Sequence, residues 1–183
     1  EITVQVIKEP IGTKGARITR HITLPGRHLV LMPYTEYIGI SRRITDEGER
    51  DRLKKLAEEI KPEDMGIILR TAAEGKTLQD LKDDLNFLVK LFNKIDRERN
   101  LGSSPRTIHK DLDLVHKTVR DLFTSETRKL FVNDKETYKS VVDLVELISP
   151  QLTDRVEYFH NSYDIFDYFN LESFPICIKF RKN

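Results

Sequence analysis

Between positions 78 and 95 the apolar residues Leu78, Leu81, Leu85, Leu88, Phe92 and Ile95 recur at spacings of three, four, three, four and three. That spacing places all six on one side of a helix, and a helix with one apolar side must lay it against another layer. The repeat covers fewer than three heptads, so it reads as a core-facing helix rather than a coiled coil. Thr77 offers an N-cap hydroxyl where the helix begins. The rest of the chain therefore has to supply the surface that this helix covers.

The N-terminal quarter is suited to that. Ile2, Val4 and Val6 alternate with polar residues, a GTKG turn follows at 12–15, and a second run contains Ile18, Ile22 and Leu24. Pro25-Gly26 marks another turn before the apolar strand HLVLM at 28–32, and 39–41 forms a further short turn or strand. Asp46 with Glu49 resembles a capping box ahead of Leu53, Leu56, Ala57 and Ile60, and Lys61-Pro62 ends that helix. A buried strand is expected at 67–69. The polar stretch NLGSSPR at 100–106 is the best boundary in the chain.

Beyond it the pattern predicts a helix through Leu112, Val115, Val119 and Leu122 and a strand near 129–132. A helix through Tyr138, Val141, Val145 and Ile148 and a strand near 156–159 complete it. The expected fold class is α+β: a β-rich N-terminal part, a mixed α/β centre, then an α/β unit too small to be a whole domain. The tail ESFPICIKFRKN makes a poor helix or strand.

Composition narrows the function classes. A hydrophobic fraction of 38% with 33% charged residues describes a soluble globular chain, and no apolar run reaches membrane-spanning length. The opening has no signal peptide, and it starts on Glu1 rather than Met, as an internal segment would. Cys177 is the single cysteine, which excludes an internal disulfide and a cysteine zinc site within one chain, and a reducing cytoplasm is the expected setting. Net charge is only +1, yet residues 1–43 hold seven basic against three acidic side chains. A polyanion docking on this first quarter and an ordinary solvated surface both fit that excess.

Familiar catalytic patterns are missing: there is no nucleophile elbow, zinc-protease helix or Walker loop. The acid pairs Asp111/Asp113 and Asp164/Asp167 read as helix starts or solvated faces, and the five histidines lack metal-ligand spacing. The segment Arg70-Thr71-Ala72-Ala73-Glu74-Gly75 stands out. A strand delivers an arginine and a threonine to a small-residue loop just before a helix start. An arginine fork, a hydroxyl and approachable backbone N–H groups are what a phosphate requires. An arginine salt-bridged at a strand edge is the other reading.

The run QVIKEPIGTKGARITRHITLPGRHLVLMP, followed by GISRRI and MGIILRTAAEG, closely resembles the ribonuclease E/ribonuclease G family in order and spacing. The likeness is strong over about residues 1–100 and fainter to about 160. It implies that 1–20 closes an OB-type RNA-binding barrel, that 21–103 is a 5′-sensor domain, and that 104–183 is part of an RNase-H-like domain with a divergent tail. It further implies that Arg70 and Thr71 hold an RNA 5′-monophosphate, with Gly26 completing the pocket floor and Val30 meeting the terminal nucleotide. Lys14, Arg42 and Arg43 would contact RNA.

The parent protein would be a magnesium-dependent, single-strand-specific endoribonuclease of ribosomal RNA maturation and messenger RNA decay, able to form a homo-oligomer. The magnesium ligands, two aspartates, would lie outside this chain, which would be inert as a nuclease alone. Two alternatives come from other classes: a non-catalytic RNA-binding or assembly module, and an unrelated small-anion-binding enzyme.

Overall fold

The computed structural model describes residues 1–161 and 163–171. The expected tail at 172–183, with Cys177, lies outside the described residues. The chain divides into two compact units, Glu1–Leu112 and Asp113–Asn183.

The first unit opens with an antiparallel hairpin of β1 (Gln5–Lys8) and β2 (Arg17–Thr19). The GTKG stretch is its turn, with Ile11 and Lys14 exchanging backbone hydrogen bonds. The alternation that suggests a half-buried strand does not bury a face here, because Val6, Ile7 and Ile18 remain more than half exposed. Ile22 and Leu24 leave the hairpin and enter the main core instead. The Gln5 side chain fastens the hairpin to this core-bound segment by bonding the backbone N–H and carbonyl of Thr23.

The main sheet contains β3 (Leu24–Pro25), β4 (Leu29–Pro33), β5 (Ile38–Ile40) and β6 (Met65–Leu69), in the order β3-β4-β6-β5. β4 runs antiparallel to β6, whereas β5 runs parallel to it. Helix α1 (Glu47–Ile60) is the crossover between that parallel pair. Helix α2 (Leu78–Arg99) covers β3 and β4, and α1 lies over β5 and β6. Leu29, Leu31, Ile67 and Leu69 point from the sheet into this layer and meet Leu53 and Ala57 of α1 and Leu81, Leu85, Leu88, Phe92 and Ile95 of α2. Each such leucine stabilises the fold by about 2 kcal/mol relative to exposure. The α2 periodicity thus faces the core as its spacing predicts.

Gly66 admits the closest approach in this sheet. A Cβ there would collide with the backbone of Thr35 and Tyr37, so the loop between β4 and β5 can press flat against β6.

In the second unit, β7 (Leu130–Val132) and β8 (Val156–Tyr158) pair in parallel across the crossover helix α4 (Lys135–Ile148). Helix α3 (Leu114–Leu122) packs on α4, and a single turn, α5 (Ile165–Tyr168), ends the described chain. The expected apolar face of α3 is displaced. Val119, Arg120 and the following Phe123 are buried, while Leu114 and Leu122 are exposed. His116 reaches Ser140 of α4 through its Nε2 atom at 3.0 Å, on the side of α3 that meets α4. Elements of both kinds in both units make the chain α+β.

Candidate functional site

Three loops meet at one end of the main sheet: residues 26–28 before β4, 41–43 after β5, and 70–76 after β6. The register dictates this, since Leu29, Leu69 and Ile40 are paired across the sheet. Arg70 is the first residue past β6, and its backbone N–H donates to the His28 carbonyl. Its guanidinium Nη1 donates to the carbonyls of Gly26 and Arg27. The arginine is therefore seated on the 26–28 turn, half-buried. Thr71 opens a short 3-10 turn to Ala73, with its hydroxyl 3.0 Å from that of Ser41.

The 26–28 turn is held from below by Asp84 of α2. Its carboxylate accepts the backbone N–H groups of Arg27, His28 and Leu29 at 3.0, 2.8 and 3.0 Å. Gly26 makes that seat possible, because a Cβ at 26 would lie 2.6 Å from both Asp84 oxygens. The His28 Nδ1 atom donates to the Ala72 carbonyl at 2.9 Å and so links the first loop to the third. Burial pushes the His28 imidazole below its ordinary pKa, and the Arg27 and Lys76 charges push the same way, against the Ala72 bond and Asp84.

Helix α1 fastens the other two loops. Arg50 donates to the carbonyls of Ser41 and Ile44. Glu49 takes Arg52 through both carboxylate oxygens, at 2.6 and 2.7 Å, and also accepts the Gly75 N–H at 2.8 Å. Arg52 donates to the Lys76 carbonyl. The Arg52 bonds, followed by the Gly75 bond, hold the Glu49 carboxyl down to about 2. Asp46 does cap α1 through the Glu49 N–H, but the Glu49 side chain serves the 70–76 loop in place of closing a capping box.

The structure brings Gly26, Arg70 and Thr71 together. Val30 stands one row along the sheet, in the cross-strand line Pro25, Val30, Ile68 and Gly39, on the face opposite the core. Arg42 and Arg43 are exposed beside Ser41, and Arg42 lines a shallow depression of about 320 Å³ with Ile44, Thr45, Glu47 and Arg50. Lys14 sits apart, at the tip of the β1–β2 hairpin. Sequence reasoning missed Asp84, Ser41 and His28. The one available signal was for Asp84, an acid on the flank of the apolar side of α2.

A sheet-end loop cluster carrying an arginine and two hydroxyls presents the kind of donor set that an anion requires. The family described as the Ribonuclease E/G family matches residues 23–175, and the chain belongs to it. It is 36% identical over 173 residues to a ribonuclease G of Salmonella typhimurium, covering 94% of this chain and 35% of that protein. With a ribonuclease G of Haemophilus influenzae it shares 37% identity over 173 residues, with the same coverage. With a ribonuclease E of Nostoc sp. the identity is 36% over 176 residues, covering 94% of this chain and 26% of the relative. The chain thus spans about a third or less of these relatives.

The acids present do not fit the magnesium ion that the resemblance implies. Asp113 accepts the His116 N–H and contacts its ring as the cap of α3, and Asp164 accepts the Phe166 N–H as the cap of α5. Magnesium demands near-octahedral oxygen donors. Among the described residues no three His, Cys, Asp or Glu side chains are grouped to hold a metal. Nor, among them, is any helix long and apolar enough to cross a membrane.

Proposed function

We propose that the loop cluster binds the 5′-monophosphate of single-stranded RNA, as the 5′-sensing part of a longer endoribonuclease. In this reading 1–20 ends an OB-type barrel, 21–103 is the sensor, and 104–183 is part of an RNase-H-like domain. The magnesium-bearing cleavage site and any oligomer contacts lie elsewhere in a cytoplasmic parent protein of RNA processing and decay. The carrying observation is the seating of Arg70 on the 26–28 turn beside the Thr71 and Ser41 hydroxyls.

A terminal phosphate carries about two negative charges and several acceptor oxygens. Arg70 meets it with charge and a planar donor set, and Thr71 with an exposed hydroxyl. The strip at Val30 and Ile68 is apolar and half-buried, with the exposed Tyr37 ring lying against Gly39 beside it, which suits the ring of the first base. Arg42 and Arg43 flank the cluster where the following phosphates would run, and Lys14 serves RNA further along. A 5′-hydroxyl end offers Arg70 no charge, so selectivity comes from the phosphate, while base identity is barely read.

The test is fluorescence anisotropy with one short RNA carrying either a 5′-monophosphate or a 5′-hydroxyl, at two salt concentrations. The monophosphate should bind on the order of tenfold more tightly at both, the value of one charge-assisted contact. Arg70→Ala should abolish the preference, and Arg70→Lys should recover little, since it keeps the charge without the fork. Equal discrimination by wild type and Arg70→Ala would sink the assignment.

A further inference from the structure

The C-terminal half of α2 carries a second feature that the loop cluster does not use. Asn86, Lys90, Asn93, Lys94 and Arg97 are all exposed. At helical pitch they fall within a band roughly 100° wide, opposite the buried Leu81, Leu85, Leu88, Phe92 and Ile95. One acid, Glu98, lines the same shallow depression as Lys90, Asn93, Lys94 and Arg97, while most other charges on this helix are occupied. Lys82 pairs with Glu59 and Arg99 with Asp96, Asp80 closes the N-terminal capping box, and Asp83 takes the Gln79 amide. Among the described residues no ion pair engages Lys90, Lys94 or Arg97.

Charge is also segregated along the helix. Its first two turns hold Asp80, Asp83 and Asp84 against Lys82 alone. Cations in a last turn are expected from the helix dipole, but that effect dies within one turn. Lys90 lies more than two turns from the end at Arg99. The dipole accounts for Arg97 and leaves Lys90 and Lys94 without a reason.

We propose that this face of α2 is a second RNA contact surface, which grips the phosphodiester backbone without reading bases. The inference rests on the reading that this chain binds RNA. Lys90 to Arg97 spans about 10 Å of helix, the axial run of about three phosphates of one strand. Asn86 and Asn93 interleave amide donors among the cations, as backbone contacts use. The band has no apolar residue among its five members, so an acidic protein partner would find no side chain to bury as an anchor. A phosphate backbone needs none.

The experiment uses the whole chain and the triple variant Lys90→Gln, Lys94→Gln, Arg97→Gln. Both are titrated with the 5′-monophosphate and 5′-hydroxyl RNAs over a salt series, and circular dichroism verifies the fold. The slope of log K against log salt should become shallower by about 2 with either RNA, the release expected from three lost contacts to a single strand. The ratio of the two affinities should not change. Arg70→Ala should do the reverse, losing the ratio while altering the slope by no more than about 1. A shallower slope in a protein that never discriminates between 5′ ends would defeat the 5′-sensor reading and leave this one standing. An unchanged slope overturns the proposal. So does equal, triple-sensitive binding of polyglutamate, which would assign the face to acidic protein.

Discussion

Gly26 and Asp84 depend on each other. The carboxylate is brought close enough to accept three backbone N–H groups only because position 26 has no side chain. Gly26→Ala should push Asp84 off the turn, unseat Arg70, and remove most of the 5′-phosphate preference. Stability should fall by about 2 kcal/mol as buried donors lose their acceptor, which urea unfolding would measure. Glu49 acts at the same scale on the neighbouring loop. Its folded pKa is depressed to about 2, so its contribution is full above the ordinary glutamate range and disappears as pH falls toward 2. The stability gap between wild type and Glu49→Gln should be constant above about pH 5 and close progressively below it. A gap still open at pH 2 would show that Arg52 and Gly75 do not depend on the charge.

At the scale of elements, α2 carries three tasks on three sides. Its apolar side fills the core, Asp84 on the flank sets the 26–28 turn, and its outer face bears the cations Lys90, Lys94 and Arg97. The start of the helix is fixed by a complete capping box, in which Thr77 accepts the Asp80 N–H and Asp80 accepts that of Thr77. Thr77→Ala should cost about 1 kcal/mol of unfolding free energy and fray the first turn. Because Asp84 lies nearly two turns in, the 5′-phosphate preference should survive at wild-type level in anisotropy. Loss of the preference would mean that the turn senses the helix end directly. Helix α1 works differently: a half-formed cap releases the Glu49 carboxylate to tie the 70–76 loop.

For the molecule as a whole, membership of the Ribonuclease E/G family and the loop cluster at the sheet end point in the same direction. Much of this was legible from the residues in order. The α2 register, the turn at Gly26, the strand ending in Arg70-Thr71 and the crossover between β7 and β8 all rest on signals from near neighbours. Periodicity, capping and turn chemistry act over a few residues, so local sequence suffices to specify them. On α3 the apolar spacing named Val115 and Leu122 as core residues together with Val119, and of these three only Val119 is buried. The partners within the site were not legible. Asp84 meets Arg27 across 57 residues, Thr71 meets Ser41 across 30, and Gly75 meets Glu49 across 26. The sequence by itself determined which segments become helix and strand and which motif ends at Arg70. The tertiary structure alone decided which carboxylate and which hydroxyl come to stand beside it, because distant pairings depend on how the layers pack and leave no periodic trace in the chain.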